Sequence, residues 1–183
     1  MMNRSGFGTG KPDKMRRPWV GPVRFFMAVL AFLVLACDSG SGIGRKEGGK
    51  APDFTLRDLD GELFHLKAQR GKMVLVIFTT TWCPACRELI PLYKELSRVY
   101  GERGLVIVNA DIQEPRERVR RFAETNRIPY RIVLDEDGAV AMGYGVVGIP
   151  DLVLINEDGE IIGSDTMDIL DMLEKTFPGR EPT

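Results

Sequence analysis

Blocks of apolar residues separated by short polar stretches recur along residues 50–177, and their spacing predicts alternating strands and helices. Continuous β-branched and aromatic runs are typical of strands, and two pairs of runs flank Asp-Gly turns, which predicts hairpins. The predicted strands are 54–56, 63–66, 73–78, 105–110, 131–134, 151–155 and 160–163. Apolar residues three or four positions apart predict amphipathic helices. The predicted helices are 84–100, 114–125 and 166–176, the last with Met167, Leu170, Leu173 and Phe177 on one face.

The order of these elements predicts the fold class. A hairpin comes first, strand–helix–strand units follow, and a second hairpin with a closing helix ends the pattern. We therefore expect an α/β domain of three layers, with a mixed parallel and antiparallel sheet at its centre.

The N-terminal segment differs in charge and hydrophobicity from the rest of the chain. Residues 1–36 contain six Lys or Arg and one Asp, and an apolar run of twelve residues extends from Phe25 to Ala36. Such a run fits a signal-peptide core and is too short for the roughly 20 residues of a membrane-spanning helix. The remainder, with 19 Lys or Arg against 25 Asp or Glu, is mildly acidic and does not indicate nucleic-acid binding.

The end of the apolar run resembles a bacterial lipoprotein processing site. Val34, Leu35 and Ala36 precede Cys37, and the resemblance implies that Cys37 carries lipid and becomes the N-terminus of the mature protein. An uncleaved anchor reaching back to Trp19 is the alternative. The chain is thus divided into a lipoprotein-type signal peptide at 1–36, a flexible Gly- and Ser-rich tether at 37–49, a folded domain at 50–178 and a tail at 179–183.

The candidate chemistry lies in the sequence Trp82-Cys83-Pro84-Ala85-Cys86, where a predicted strand ends and a predicted helix begins. Two cysteines at this spacing can close a disulfide, and the start of a helix stabilises a thiolate on the leading sulfur. We expect Cys83 to be the more exposed and more acidic thiol. Cys86 would then attack a mixed disulfide that Cys83 has formed. Pro84 fixes the first helical turn, and Trp82 covers one side of the motif.

Two plainer interpretations of the cysteine pair compete with the redox interpretation. A structural zinc site needs four ligands, and the sequence offers no second pair, since His65 is the only histidine and Cys37 lies in the N-terminal segment outside the predicted folded domain. A purely structural disulfide is possible in an exported protein. A loop that encloses two residues, however, restricts the unfolded chain very little. We therefore favour a redox-active pair, without metal or cofactor.

The domain resembles the membrane-tethered thioredoxin-like disulfide reductases of the TlpA/ResA type. The matching stretches are Ala51-Pro52-Asp53-Phe54 with Leu56, Asp58 and Gly61; Arg70-Gly71-Lys72; Trp82 to Cys86 with Pro91; and Tyr144-Gly145-Val146 through Gly148-Ile149-Pro150 to Leu154-Ile155. The resemblance implies a thioredoxin-like fold with an N-terminal hairpin and a central insert. It also implies a cis proline at Pro150, and that the backbone of Ile149 pairs with an extended substrate chain beside the disulfide.

Two departures from that family concern the proton of Cys86. Many relatives have Glu at the position of Leu89, and thioredoxin has a buried Asp at the position of Ile77. Glu88 is one residue away from the first of these positions, rotated by about 100° on a helix. We therefore predict that no buried carboxylate accepts this proton, and that Cys86 is activated by solvent or by Glu88 through water, with a steep rise at alkaline pH.

These observations predict a thiol–disulfide oxidoreductase at the outer face of a bacterial cytoplasmic membrane. The family resemblance implies that it reduces disulfides of client proteins, among them apocytochrome c, with electrons from a membrane thiol donor. A peroxiredoxin-like peroxidase is one alternative, for which Thr80 is available but Val76 occupies the position of the required proline. A redox-inert module that binds extended peptides near Pro150 is the other.

Overall fold

The computed structural model describes residues 46–178, which contain one seven-stranded sheet. The strands are β1 (Thr55–Asp58), β2 (Leu63–His65), β3 (Val74–Thr79), β4 (Val106–Ile112), β5 (Arg131–Asp135), β6 (Asp151–Ile155) and β7 (Ile161–Gly163). The helices are α1 (Pro84–Glu88), α2 (Ile90–Tyr100), α3 (Arg116–Asn126), α4 (Ala139–Gly143) and α5 (Thr166–Thr176). Every predicted strand is present, and both predicted hairpins form.

The sheet has the order β2-β1-β5-β4-β3-β6-β7 and is mixed, as predicted. Strands β3, β4 and β5 are parallel, whereas β1 and β6 join them antiparallel on either side. Parallel strands need helical crossovers, and these place α2 and α3 between successive strands of the parallel part. The carboxyl ends of β3 and β4 consequently lie side by side, with Thr79 opposite Asp111.

Helices cover both faces of the sheet, which gives the three predicted layers. Alternate residues of β3 enter two cores, with Phe78 packed beside Tyr144 on one face and Ile77 with Tyr93 of α2 on the other. All six residues of β3 are buried. The strand that carries the motif loop is therefore held from both sides and provides a rigid base for it.

Three details differ from the sequence predictions. The helix predicted from Pro84 to Tyr100 is broken at Leu89, because Pro91 has no N–H to donate to the preceding turn. On α5, Met167 is exposed, and the buried face is formed by Ile169 and Leu173. The short helix α4 was not predicted at all.

The flexible tether was predicted to extend to Gly49, and this is wrong at its end. The Gly48 N–H donates to the Ile161 carbonyl (2.8 Å), and the Ile161 N–H donates to the Gly49 carbonyl (2.9 Å). Lys50 forms a further antiparallel β-bridge with Glu160, the residue before β7. These residues pair along β7 and cover part of that edge strand. The predicted signal peptide, Cys37 and the tail 179–183 lie outside the described residues.

Candidate active site

The Trp82–Cys86 motif occupies the junction between β3 and α1, as predicted. Residues 80–82 form the connecting loop, and Cys83 is the N-cap of α1, followed by Pro84 at its first position. The Cys86 N–H donates to the Cys83 Sγ at 3.2 Å. A cysteine sulfur thus takes the place of the usual side-chain oxygen and satisfies one of the free N–H groups of the first turn.

Both cysteines are free thiols and both are buried, with 5% of Cys83 and 3% of Cys86 exposed. Cys83 is the more exposed of the two, as predicted, but the difference is small. The Cys83 thiol lies 3.8 Å from the Ile149 carbonyl, to which it donates. The Ile149–Pro150 peptide is cis, as the resemblance implied. The structure therefore brings Ile149 and the cysteine pair together, while the neighbouring Trp82 side chain is 61% exposed.

The two thiols are not equivalent. Burial, and next to it the hydrogen bond with Cys83, raise the pKa of Cys86 to about 12. An apolar setting disfavours the thiolate, and a second sulfur with negative charge disfavours it further. At neutral pH Cys86 is consequently a protonated thiol, and it needs a proton acceptor before it can act as a nucleophile.

Two buried acids lie close to the motif, contrary to the prediction that none does. Asp111 is at the carboxyl end of β4 and Glu114 is in the loop before α3, and both are buried. Burial, followed by the adjacent charge of Glu114, raises the pKa of Asp111 to about 8. Asp111 and Cys86 line the same small cavity. Asp111 directly follows the predicted strand 105–110 but was not singled out from the sequence, because only the pairing of β3 with β4 brings it to the motif.

Glu114 fixes the loop that carries the motif. Its carboxylate accepts hydrogen bonds from the Thr81 N–H (2.5 Å) and the Thr81 hydroxyl (2.7 Å). The Thr81 carbonyl in turn accepts from Arg87 Nε at 2.9 Å. Charge-assisted hydrogen bonds of this kind are among the stronger ones in proteins. Thr81 is therefore held through its N–H, its hydroxyl and its carbonyl, immediately before Trp82.

Glu88, the proton relay predicted from the sequence, is exposed at the end of α1. Residues two positions apart on a helix do not face each other. Cys86 is directed to the protein interior, so the arrangement offers Asp111, rather than Glu88, on the side of the Cys86 sulfur. The role of Glu88 stays a prediction.

An open groove with a volume of about 840 Å³ includes Ile149 in its lining, the residue whose carbonyl contacts Cys83. Its wall includes Met142, which is 64% exposed, and Val147, which is fully exposed. Exposed apolar side chains beside a reactive group are typical of surfaces that bind another chain.

Other candidate features of the sequence lie apart from this site. His65 is exposed on β2, where its ring is hydrogen-bonded to Thr55 Oγ1 at 2.8 Å. Within residues 46–178, no group of three or more His, Cys, Asp or Glu side chains is placed to hold a metal ion. None of the helices in that range is long and apolar enough to cross a membrane.

Comparison with known proteins identifies the family. The model of the family described as Redoxin matches residues 46–171, which is more than half of the chain and includes the whole site. The chain belongs to the Redoxin family. Within it, the similarity to ResA-type proteins assigns the chain to the thioredoxin-like TlpA/ResA group and to the class of thiol–disulfide oxidoreductases.

Two relatives and one solved structure illustrate this membership. The thiol-disulfide oxidoreductase ResA of Geobacillus thermodenitrificans is 37% identical over 62% of this chain, and the match spans 66% of that protein's length. The thioredoxin-like protein YneN of Bacillus subtilis is 33% identical over 80% of this chain and 88% of its own.

A solved thioredoxin domain of a thiol-disulfide oxidoreductase from Bacteroides vulgatus superposes with a TM-score of 0.66, at 26% identity, over 72% of this chain and 97% of that one. Nearly all of that solved domain is matched, so the likeness extends over its whole fold.

Proposed function

We propose that this protein is a membrane-tethered thiol–disulfide oxidoreductase that reduces disulfides of client proteins outside the cytoplasm through Cys83 and Cys86. In this reaction the Cys83 thiolate attacks a client disulfide and forms a mixed disulfide, releasing one client thiolate. Cys86 then attacks Cys83, which releases the second client sulfur and leaves a Cys83–Cys86 disulfide. A membrane thiol donor returns two electrons to restore the dithiol.

The single observation that carries the proposal is the arrangement of two free cysteines at the N-cap of α1. The contact of 3.2 Å between Cys83 Sγ and the Cys86 N–H brings the second cysteine within one helical turn of the first. The family assignment supports the enzyme class, and the open groove that includes Ile149 supports an extended protein client. The backbone of Ile149 and Pro150, together with Trp82 and Pro84, is proposed to contact that client.

Reduction as the direction, and apocytochrome c thiols among the clients, follow from the ResA-type resemblance. Attachment to the membrane follows from the sequence before residue 46, through lipid on Cys37 or through an uncleaved anchor. Mass spectrometry of the protein extracted from membranes separates these two forms. A lipid-modified N-terminal Cys37 supports the first, whereas an intact Met1 and unmodified Cys37 support the second.

The function is tested by trapping clients with Cys86→Ala in the full-length protein. This variant retains the attacking thiol but cannot resolve the mixed disulfide, so covalent adducts that dithiothreitol releases are expected to accumulate. Cys83→Ala is the matched control and is expected to trap none. The purified parent should also reduce insulin disulfides.

Three results would contradict the proposal. Binding of extended peptides without any covalent adduct would instead indicate a redox-inert peptide-binding module. Direct consumption of hydrogen peroxide by the reduced protein, without disulfide reduction, would indicate a peroxidase. Equal adduct formation by both cysteine variants would remove the assigned order of attack.

A further inference from the structure

A small cavity beneath Cys86 is lined by buried polar groups that have no partner. Among residues 46–178, Thr80 Oγ1, Tyr93 OH and Asp111 Oδ1 are buried side-chain oxygens without a hydrogen bond. All three residues line this cavity, together with Cys86. Buried polar atoms are nearly always hydrogen-bonded. Three buried oxygens around one cavity therefore indicate a hydrogen-bonding partner that they share.

The size of the cavity fits one water molecule. Its volume is about 20 Å³, and a polar cavity of about 10–15 Å³ or more can hold one water that makes two to four hydrogen bonds. The hydroxyls of Thr80 and Tyr93 can each donate or accept, whereas an ionised Asp111 only accepts. One water molecule can therefore satisfy all three oxygens and still contact the Cys86 thiol.

The pairing of β3 with β4 places the acid at this cavity. Thr79 lies opposite Asp111, and the Thr79 hydroxyl donates to Asn109 Oδ1 at 2.8 Å on the same face of the sheet. Polar side chains thus line the bottom of the cavity, while Ile90 and Val119 are among the apolar residues around it. Because the setting is poorly solvated, a proton that leaves Cys86 has few acceptors within reach.

We propose that Asp111 accepts the proton of Cys86 through a water molecule bound between Thr80, Tyr93 and Asp111, and thereby activates Cys86 to resolve the mixed disulfide. The inference rests on the proposed function, because it concerns the second step of that reaction. The proton passes from Cys86 to the water, and a proton of that water passes to the Asp111 carboxylate. The Cys86 thiolate then forms a bond to Cys83 Sγ as the bond between Cys83 and the client breaks. The client thiolate leaves, and Asp111 returns its proton to the solvent.

Glu114 provides a route by which the proton can leave. Its carboxylate is next to Asp111, accepts from Thr81, and lies 3.5 Å from Arg118 Nη1, whose side chain is 59% exposed. Two adjacent buried carboxyl groups do not readily carry two charges at once. Glu114 is therefore assigned as a positioning residue that sets when Asp111 is ionised and connects it to the surface.

The titratable groups around the cavity come from four parts of the fold. They are Cys83 and Cys86 from the motif, Tyr93 from α2, Tyr130 from the residues before β5, and Asp111 with Glu114 from the end of β4. Within the described part of the chain, two charged groups adjoin this set: Arg118 of α3, which contacts Glu114, and Arg87 of α1, which donates to the Thr81 carbonyl and lies over the ring of Phe122 in the cavity wall. Burial raises the pKa of both Tyr93 and Tyr130, so neither takes the proton at neutral pH.

The inference is tested by the reaction of the reduced full-length protein, in detergent, with excess 5,5′-dithiobis(2-nitrobenzoate). Attack by Cys83 releases the first nitrothiolate at a rate that depends on reagent concentration. Resolution by Cys86 releases the second at a rate that does not. We expect Asp111→Asn to slow only the second phase, by at least about tenfold at pH 7. In the parent the second phase should rise through an inflection near pH 8 and then level off, and the variant should lose this inflection.

Controls separate this inference from the proposed function and from misfolding. Replacement of the exposed Glu136 by Gln should leave both phases unchanged. Tyr93→Phe, which removes one hydroxyl from the water site, should slow the second phase to a smaller extent, and it replaces Asp111→Asn as the test if that variant does not fold.

A normal second phase with an unchanged pH profile in Asp111→Asn overturns the inference while the proposed function stands. Slowing of that phase in Glu88→Gln alone also overturns it. Loss of the first phase in the parent contradicts the proposed function itself.

Discussion

Replacing Asp111 by Asn should change how the stability of the domain depends on pH. Asp111 is buried with a pKa raised from 3.8 to about 8, so between these values it is protonated in the folded state and ionised in the unfolded state. The folded state then binds more protons than the unfolded state, and the free energy of unfolding falls as the pH rises through this window. Asn has nearly the same shape and no proton to bind, so the variant should not show this loss.

The size of the effect follows from the shift in pKa. A pKa difference of one between folded and unfolded states contributes about 1.4 kcal/mol to the free energy of unfolding. The difference for Asp111 therefore corresponds to about 6 kcal/mol, accumulated between about pH 4 and pH 8. Over the window from pH 5 to pH 7.5, the parent should lose about 3 kcal/mol relative to Asp111→Asn. A group this deeply buried is little screened by solvent or salt, so the difference should persist at 0.15 M salt.

Urea unfolding of a fragment spanning residues 46–183, with the cysteines kept reduced, measures this difference. The free energy of unfolding is determined at several pH values for the parent, Asp111→Asn and Glu136→Gln, in which an exposed carboxyl is removed. Groups that titrate equally in parent and variant cancel in the comparison. The contrary result is a difference in free energy of unfolding between parent and Asp111→Asn that changes by less than about 0.5 kcal/mol from pH 5 to pH 7.5. In that case Asp111 ionises like an exposed carboxyl, and the reasoning about its surroundings is wrong.

Two further predictions concern the core and the groove. Leu173→Ala should lower the free energy of unfolding by about 2–5 kcal/mol because Leu173 is fully buried, whereas Met167→Ala on the same helix, at a residue 72% exposed, should change it by less than about 0.5 kcal/mol. Equal effects in urea unfolding would contradict the assigned buried face. Val147→Asp should reduce the yield of client adducts with Cys86→Ala about three- to tenfold while leaving stability unchanged, because Val147 is exposed in the groove. An undiminished yield would show that clients bind elsewhere.

Elements with strong local signals could be predicted from the sequence. The hairpin turns at Asp60-Gly61 and Asp158-Gly159 place glycine where the backbone has positive φ, +89° and +71° respectively, a conformation that glycine adopts without strain. The apolar run 73–78 predicted β3 as a strand buried on both faces, because no polar residue interrupts the run. The cysteine motif was also located correctly, since its position depends only on where this strand ends.

Elements whose boundaries depend on packing or on weak local signals were harder to predict. The break between α1 and α2 lies at Leu89, and the apolar spacing that begins there runs without interruption to Tyr100. Periodicity alone therefore does not separate the two helices. Helix α4 has five residues, too few for a helical period to show in the sequence. The pairing of Gly48 and Gly49 with Ile161 uses only backbone groups, and a Gly-rich composition is then indistinguishable from that of a tether.

The acids of the site could not be predicted because their environment arises from strand register. In the parallel pair, Ile77 lies opposite Asn109 and Thr79 opposite Asp111. Side chains two residues apart on a strand share a face, so these four positions all face the side of the sheet on which Tyr93 packs. A carboxyl at the thioredoxin position, here Ile77, and a carboxyl at Asp111 would therefore approach Cys86 from neighbouring strands of one surface. The proton acceptor belongs to this face of the sheet rather than to a single strand, which is why the absence of an acid at Ile77 did not mean the absence of an acid beneath Cys86.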